Sequence, residues 1–343
     1  MAKTPSFIQT IVTSTRIRLA RNFAGYPFPH KLDEKLASEI VYLVEKALGK
    51  IDNFQKNTIS QLSEEEATLL QEQHLISPAL IRNKRRSVAF LSADNSISVM
   101  VNEEDHLREQ YIHKGFDLYK AYERISGIDE ALSSAYNFAY DKKLGYLTAC
   151  PSNVGTGMRA SVMMFLPGLT QNGGLKAVLP TLKENGLTVR GTFGEGSTTE
   201  GCIYQISNER TLGVSEKDIL DAVIDTTKML CKQEGKAREE MLKKSGAELK
   251  DKCLRSFGTL TNCAILSVEE LYSKLLEVRL GIALGFLQAV DSEEFENFFN
   301  DMRPTAFRIS NGLERASERK CDEARAETTC TVLPELVSVV RRK

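Results

Sequence analysis

Arginines recur at predicted strand ends and beside glycine-containing turns in the first part of the chain. They are Arg16, Arg18, Arg108, Arg159 and Arg190. A single arginine is most often a solvated surface residue. A guanidinium group, however, stays charged at physiological pH and can donate two parallel hydrogen bonds to a phosphate. The chain has no GxxxxGK[ST] loop for binding phosphates. The pattern therefore predicts that converging arginines hold a triphosphate.

Two carboxylates lie in loops that also carry these arginines. Glu104 is part of "NEEDHLR", after the alternating run "SISVM", and Glu195 is part of "RGTFGEG". Acids among arginines can simply balance charge. Paired carboxylates can also orient a cationic nucleophile and accept its proton. Within the first loop, we expect Asp105 to orient the backbone and His106 to be structural.

Composition narrows the class of protein. The 343 residues are 42% hydrophobic and 27% charged, with a net charge of −1, which is typical of a soluble globular chain long enough for two domains. This balance argues against binding to nucleic acid or a membrane surface through overall charge. The seven cysteines include no CxxC pair, and the N-terminus has no apolar signal core. Reduced thiols in the cytoplasm are the simplest interpretation.

Periodicity predicts an α+β fold. "IVTSTRIRLA" is typical of a strand that places Arg16 and Arg18 on one face, and "DEKLASEIVYLVEKALGK" of an amphipathic helix. "SVAFLSADNSISVMV" predicts a hairpin, followed by helical segments to about residue 140. A helix with Pro180 inside it and the strands "LTVRGTF" and "CIYQISN" follow. Helices continue from a capping box at Ser215 and Asp218, with a second box at Ser267 and Glu270.

Hairpins and irregular loops join the strands, which favours an antiparallel sheet flanked by helices. We expect a catalytic domain over residues 1–236. A smaller all-helical domain over residues 237–343 would serve docking or dimerisation.

Four blocks of sequence resemble the signature motifs of the phosphagen (guanidino) kinases, in the order of that family. They are "STRIRLARNFAGYPFP", "NEEDHLR", "GYLTACPSNVGTGMRAS" and "VRGTFGEGSTTEGCIYQISNERTLG". The resemblance is strongest to the bacterial protein-arginine kinase branch, and it continues through "AREEMLKKSGAELKDKCLRSFGTLTNC" and "EVRLGIALG". It implies the family's antiparallel catalytic fold and a reaction that uses ATP with Mg²⁺. The metal would be carried by the nucleotide, with no protein metal site.

The resemblance also implies roles for residues at matching positions. Glu104 and Glu195 would grip the substrate guanidinium, with Cys150 as the reactive cysteine beside it, although a free cysteine is more commonly a buried packing residue. The residues implied to bind ATP are Ser14, Thr15, Arg16, Ile17, Arg18, His74, Arg108, Arg159, Ala160, Ser161, Val162, Met163, Arg190, Gly191, Thr192, Phe193, Gly194 and Glu195.

Two departures from the family pattern refine the expectation. Only 13 residues precede Ser14, where small-substrate phosphagen kinases place a helical domain, so we expect an open site that accepts arginine on a protein. The bacterial branch carries an Arg-Asp-x-x-Arg-Ala motif for sensing phosphoarginine, whereas this chain has "ASERKCDEARAETTC". Pairing Arg319 with the first arginine puts Lys320 in place of aspartate. Pairing Asp322, Arg325 and Ala326 puts Cys321 in place of arginine.

The leading hypothesis is a kinase that phosphorylates arginine residues in proteins, marking them for Clp-type proteolysis or stress regulation. The partners implied by the resemblance are exposed arginines of substrate proteins, a zinc-containing activator protein, a Clp ATPase or protease, and a second copy of the chain. The alternatives are a free-arginine kinase and a catalytically silent adaptor that binds phosphoarginine.

Overall fold

An eight-stranded antiparallel sheet forms the centre of the catalytic part of the molecule. The computed structural model describes residues 7–191 and 202–341. The sheet strands are β1 (Val12–Arg21), β2 (Gln55–Thr58), β3 (Val88–Leu91), β4 (Ile97–Val101), β5 (Leu107–Lys114), β8 (Met158–Phe165), β9 (Leu187–Gly191) and β10 (Ile203–Asn208). Their order is β2-β3-β4-β5-β1-β8-β10-β9, so β1 lies inside the sheet between β5 and β8. The shorter strands β6 (Tyr140–Asp141) and β7 (Gly145–Tyr146) pair as a separate hairpin.

Helices pack on both faces of this sheet and form the C-terminal region. They are α1 (Glu34–Leu48), α2 (Glu64–Glu72), α3 (Pro78–Arg82), α4 (Leu118–Ala135), α5 (Pro167–Gln171), α6 (Gly174–Glu184), α7 (Glu216–Leu260), α8 (Val268–Ala283), α9 (Ser292–Asp301), α10 (Pro304–Ser310) and α11 (Glu318–Leu336). Strands β11 (Leu287–Ala289) and β12 (Val337–Val339) pair within the C-terminal region. The predicted α+β fold is confirmed, and this small antiparallel pair must be added to a region that was predicted to be all helical.

Alternation along β1 separates the two faces of the sheet. Ile17 and Leu19 are buried in the main hydrophobic core, which also includes residues of α1, α4 and the first part of α7. Arg16 and Arg18, at the intervening positions, project to the opposite face. The face packed against α1, α4 and α7, the helix-covered face, carries the main packing of the strands. On the opposite face, residues of α3 pack against β3 and β4, while the neighbouring strands carry polar groups.

The predicted hairpin and helix N-termini are largely confirmed. β3 and β4 pair around Asn95, whose φ of 54° places it in the left-handed region that turn residues adopt. Ser215 and Asp218 form the predicted reciprocal capping box at the start of α7. At α8, Ser267 accepts the expected hydrogen bond from the Glu270 amide.

The segment after the hairpin was expected to be helical, but residues 107–114 form strand β5. The expectation was wrong because a charged residue occupies a core position. Glu109 lies on the helix-covered face and is fully buried, so it interrupts the apolar alternation that would have marked the strand. Strand β5 joins β1 to β4 and is therefore essential to the sheet.

The C-terminal region has its own hydrophobic core and contacts the catalytic part through polar residues. Its core includes Leu271, Phe307 and Leu333. The 45-residue helix α7 links the two parts and is interrupted by non-helical backbone at Ser245, beyond the predicted boundary at residue 237. The carboxylate of Glu72 in α2 accepts hydrogen bonds from the amides at the start of α10 and from the Thr305 hydroxyl. Lys114 of β5 pairs with Glu293 of α9 at 2.6 Å.

Glu109 is buried without hydrogen-bond partners for its oxygens, beside the ion pair between Arg21 and Asp129. Burial, followed by the negative charge of Asp129, raises the pKa of Glu109 well above its ordinary value, although Arg21 opposes the shift. The folded protein therefore holds a proton on Glu109 at pH values where the unfolded chain has released it. This linkage makes the native state lose stability as pH rises from the unfolded pKa towards the folded one.

We predict that Glu109→Gln stabilises the protein increasingly as pH rises above the ordinary pKa of a glutamate and towards the raised pKa of Glu109. Glutamine stays neutral at all these pH values. The variant therefore avoids the fall in the free energy of unfolding, which is about 1.4 kcal/mol for each pH unit over which wild-type Glu109 stays protonated. Chemical unfolding at several pH values measures the effect, with the exposed α4 substitution Glu123→Gln as control. A gap between variant and wild type that does not change with pH would contradict this account.

Candidate active site

The strand register collects arginines from separate motifs on the face of the sheet opposite the main hydrophobic core. Arg18 lies directly opposite Arg159 of β8, and Arg16 lies opposite Ser161. Residues directly opposite each other on paired strands share a face. Arg108 of β5 lies opposite Ala20, and Arg190 of β9 lies opposite Gln205. By alternation these two arginines face the same side, so five arginines from four strands converge there.

Several positive charges lie close together in this cluster. Burial, followed by the charges of Arg108 and Arg159, lowers the pKa of Arg16 to about 9. Burial and neighbouring arginines also lower the pKa of Arg18 and of Arg159. The Nε atoms of Arg16 and Arg18 are buried and have no hydrogen-bond partner. Because guanidinium groups remain protonated in proteins, the cluster is a preformed site for a polyanion, which would satisfy both the charge and the free donors.

Two members of the cluster have partners that hold their side chains in place. Arg108 donates from Nη1 to both carboxylate oxygens of Glu103, at 2.9 and 3.0 Å, and the Ser77 hydroxyl also donates to Glu103. Arg159 donates from Nη2 to the Ser207 hydroxyl on β10 at 3.0 Å. The sequence did not single out Ser207, because a serine in a strand carries no distinctive signal. The remaining donors of both arginines stay available to a ligand.

The structure divides the predicted ATP-binding residues between the two faces of the sheet. The side chains of Thr15, Ile17, Ala160 and Val162 are fully buried on the helix-covered face. Ser14, Ser161 and Met163 share the arginine face, and Gly191 ends β9 opposite Tyr204. Thr192, Phe193, Gly194 and Glu195 lie outside the described residues.

Glu104 is exposed in a loop whose neighbours are fixed. Asp105 is buried and accepts hydrogen bonds from Asn22 Nδ2 and from the Ala149 amide, both at 2.6 Å. The buried ring of His106 accepts from the Phe23 amide and contacts the Pro27 carbonyl oxygen. The structural roles expected for Asp105 and His106 are confirmed. Their contacts present Glu104 to solvent beside residue 149.

Cys150 follows Ala149 directly, so Asp105 brings the Glu104 loop and the cysteine loop together. The Cys150 thiol is partly buried and lies 3.0 Å from the Ser152 hydroxyl. Glycine in the segment after Cys150 lets the backbone pack closely against another part of the backbone. Gly155 has φ of 117°, and a Cβ atom there would lie 2.1 Å from the Thr211 carbonyl oxygen. Any side chain at this position would displace the loop that carries Cys150.

A cleft of about 850 Å³ opens beside Glu104 and Arg108. Its other lining residues are Pro29, His30, Ala79, Arg82, Asn83, Lys84, Arg85, Arg86, Glu103 and Ala149. The cleft therefore lies where the predicted substrate carboxylate meets one of the predicted phosphate ligands. It is large enough for an extended side chain and its flanking backbone.

His74 lies near the C-terminal region, two residues after the end of α2. Its backbone is left-handed, with φ of 62°, and its carbonyl oxygen accepts from Gln110 on β5 at 2.7 Å. Although the residue is partly exposed, desolvation and the charges of Arg303 and Arg16 lower the pKa of His74 to about 4. The ring is thus neutral at physiological pH. No sequence motif indicates that Arg303, from the C-terminal region, lies near this residue.

The altered sensing motif lies in α11. Cys321 and Arg325 are buried, and Arg325 donates to the Leu266 carbonyl oxygen at 2.8 Å and to Asp322 at 2.5 Å. Arg319 is exposed and pairs with Glu323. Arg325 and Asp322 are therefore engaged with the protein itself.

Within the described ranges, no group of three or more His, Cys, Asp or Glu side chains could hold a metal ion. No helix of the described part of the chain is both long and apolar enough to cross a membrane.

Comparison with known proteins agrees with this geometry. Residues 35–237 match the family model described as the C-terminal catalytic domain of ATP:guanido phosphotransferases. The chain belongs to this family. Residues 246–338 match a second model, the C-terminal domain of the protein-arginine kinase McsB. The predicted membership of the guanidino kinase family is confirmed.

Relatives of this guanidino kinase cover most of its length. The protein-arginine kinase of Clostridium acetobutylicum is 43% identical over 88% of this chain and 90% of its own. The protein-arginine kinase of Caldanaerobacter subterraneus is 39% identical over 94% of this chain and 97% of its own. Among solved structures, lombricine kinase has a TM-score of 0.60 and 26% identity, covering 66% of this chain and 67% of its own. A second structure is the duplicated taurocyamine kinase of Schistosoma mansoni with bound transition-state analogue components. It has a TM-score of 0.62 and 26% identity, and it covers 78% of this chain and 39% of its own.

We predict that Arg18→Met weakens ATP binding while stabilising the nucleotide-free kinase. Methionine keeps the apolar stem but removes a buried, repelled charge, which should raise the free energy of unfolding by about 1 kcal/mol. Loss of a charge-assisted hydrogen bond should raise the Kd for ATP about tenfold or more. Calorimetric titration and chemical unfolding measure both quantities, with the exposed Arg124→Met as control. A variant that is less stable and binds ATP normally would contradict the assignment.

We predict that Asp105→Ala lowers kcat without changing nucleotide affinity. Alanine has no side-chain oxygen to accept the hydrogen bonds from Asn22 and the Ala149 amide, so Glu104 and Cys150 lose their relative position. Misplacement of this kind should reduce kcat about tenfold or more. Steady-state kinetics and ATP titration provide the measurement, and Asp94→Ala in the β3–β4 turn is the matched control. Unchanged kcat would show that the Asp105 contacts do not position the reacting groups.

Proposed function

We propose that this guanidino kinase transfers the γ-phosphoryl group of ATP to the guanidinium group of arginine residues in proteins. The observation that carries the proposal is the convergence of five arginines on one face of the sheet, one of which, Arg108, lines the same cleft as Glu104. The match of residues 246–338 to a protein-arginine kinase domain and the named relatives support arginine on proteins as the substrate.

The triphosphate would bind across the arginine face. Arg16, Arg18 and Arg159 offer donors to the phosphate oxygens, and their charges stabilise the negative charge that spreads over the phosphoryl group during transfer. Mg²⁺, which such kinases typically use with the nucleotide, would neutralise further phosphate charge. Neutral His74 would contact the nucleotide at the far end of the face, near Arg16.

The substrate guanidinium would bind at the opposite end, where Glu104 and Cys150 meet. A protonated guanidinium is a poor nucleophile because its pKa is far above physiological pH. Glu104 would hold the planar group and take up its proton as the N–P bond forms. Glu195, which lies outside the described residues, would supply the second carboxylate. Cys150 would contact the guanidinium from the adjacent loop.

The domain division, the partners and the cellular location complete this proposal. The division into a catalytic domain and a C-terminal docking or dimerisation domain is supported by two separate hydrophobic cores. The resemblance to bacterial protein-arginine kinases supports a zinc-containing activator, a Clp ATPase or protease and a role in stress response. All seven cysteines are free thiols, which fits the reducing cytoplasm.

We predict that Glu104→Gln lowers phosphoryl transfer to protein arginine by about 10²–10⁴-fold. The amide retains the size of the side chain but neither attracts the guanidinium nor accepts its proton. Transfer is measured by mass spectrometry of a protein substrate kept near neutral pH, because the P–N bond is acid-labile. Glu64→Gln on the exposed start of α2 is the control. ATP affinity should stay within about twofold of wild type, since Glu104 is not a phosphate ligand.

Near-wild-type transfer by Glu104→Gln would overturn the assigned mechanism. If the wild-type enzyme phosphorylates free arginine and does not phosphorylate protein arginine, the result would instead support a small-substrate kinase.

A further inference from the structure

One wall of the cleft beside Glu104 is strongly basic, and the reaction described above does not use it. We call this wall, formed by Arg82, Lys84, Arg85 and Arg86, the basic wall. Together with Arg108 it gives the cleft five cationic side chains against two carboxylates. Glu103 already pairs with Arg108. Glu104 is therefore the single remaining carboxylate among the residues that line the cleft.

The basic wall is attached to the loop that carries Glu104. Asn83 Nδ2 donates to the Glu103 carbonyl oxygen at 3.1 Å, and Asn102 Nδ2 donates to the Arg86 carbonyl oxygen at 3.0 Å. The Ser87 hydroxyl donates to the Asn102 carbonyl oxygen, also at 3.0 Å. Three hydrogen bonds thus fix the backbone of the wall against residues 102–103. The position of its charges relative to Glu104 is built into the fold.

The charges of the wall are available to a ligand. All four side chains are exposed. Across residues 7–191 and 202–341, no carboxylate lies within ion-pair distance of them. Arg86 donates to the Leu32 carbonyl oxygen, which restrains it without neutralising it. Exposed cations of this kind attract anions but gain little from any one pair.

The location of the wall distinguishes it from the phosphate site. The triphosphate arginines lie within the sheet, where Arg18 and Arg159 are directly opposite each other. The wall runs from the last residue of α3 through the turn that leads to β3, and it lines the same cleft as Glu104 and Arg108. It therefore borders the place where the polypeptide on either side of a bound target arginine must run. One extended residue spans about 3.3–3.6 Å, so only the nearest flanking residues can reach the wall.

We propose that the basic wall selects target arginines that are flanked by aspartate or glutamate. The inference rests on the proposed function, because it assigns a sequence context to the same substrate. Glu104 attracts the arginine, while the wall attracts carboxylates beside it and repels neighbouring lysine or arginine. Such complementary charges contribute to specificity and to the rate of association more than to affinity.

The test compares three arginine peptides that differ only in their flanking residues, which are acidic, neutral or basic. The ratio of kcat/KM for the acidic peptide to that for the basic peptide is measured for wild type and for Lys84→Glu/Arg85→Glu. Binding of the same peptides, labelled with a fluorophore, is followed by anisotropy so that recognition is observed independently of turnover. The control is Lys243→Glu/Lys244→Glu, which reverses two exposed neighbouring lysines of α7.

Wild type should prefer the acidic peptide by about fivefold or more, the size expected for two or three exposed ion pairs. The charge reversal should invert this preference, and the α7 control should retain it. Added salt should weaken the preference, because exposed charges are screened.

Equal use of the three peptides by wild type would overturn the inference and leave the proposed function intact. A charge reversal that weakens ATP binding and slows all three peptides equally would assign the wall to the nucleotide instead. Failure to phosphorylate any peptide or protein arginine would reject the proposed function and this inference with it.

Discussion

The arrangement depends on positive charge held on one face of an antiparallel sheet. Arg16, Arg18 and Arg159 repel one another and are partly desolvated, which is unfavourable in the absence of a ligand. Charge-assisted hydrogen bonds contribute roughly 1.5–3 kcal/mol each, so several of them to a triphosphate can offset this repulsion. The sheet tolerates the cluster because its other face is packed against helices. Stability comes from one face of the strands and ligand binding from the other.

Hydrogen bonds to two carboxylates, Asp105 and Glu72, hold the segments at the two ends of this binding face. Asp105 joins the loop of Glu104 to the loop of Cys150, and it does so through buried hydrogen bonds to Asn22 and the Ala149 amide. At the far end, Glu72 accepts hydrogen bonds from the start of α10, close to the neutral His74. The C-terminal region therefore meets the catalytic part next to a residue proposed to contact the nucleotide.

The sequence correctly predicted that Arg16 and Arg18 share a face, but it did not predict every strand of the sheet. The spacing in "STRIR" was enough to place Arg16 and Arg18 on one face, since alternation in a strand is strict. Strand β5 was missed because Glu109 occupies a core position, and no local pattern reveals a carboxylate that burial keeps protonated. Runs such as residues 14–18 and 159–163 were treated as continuous, although only alternate side chains can face the ligand. Ser207 and Arg303 come from distant segments and carry no signal of their own.

The central claim is that the arginine face and Glu104 together phosphorylate arginine on proteins. The most direct measurement incubates the purified kinase with MgATP and either casein or free arginine, and identifies the products by mass spectrometry near neutral pH. The account predicts phosphoarginine within casein peptides and little phosphorylation of free arginine. Phosphorylation of free arginine alone, or phosphate found on serine or threonine of casein, would contradict it.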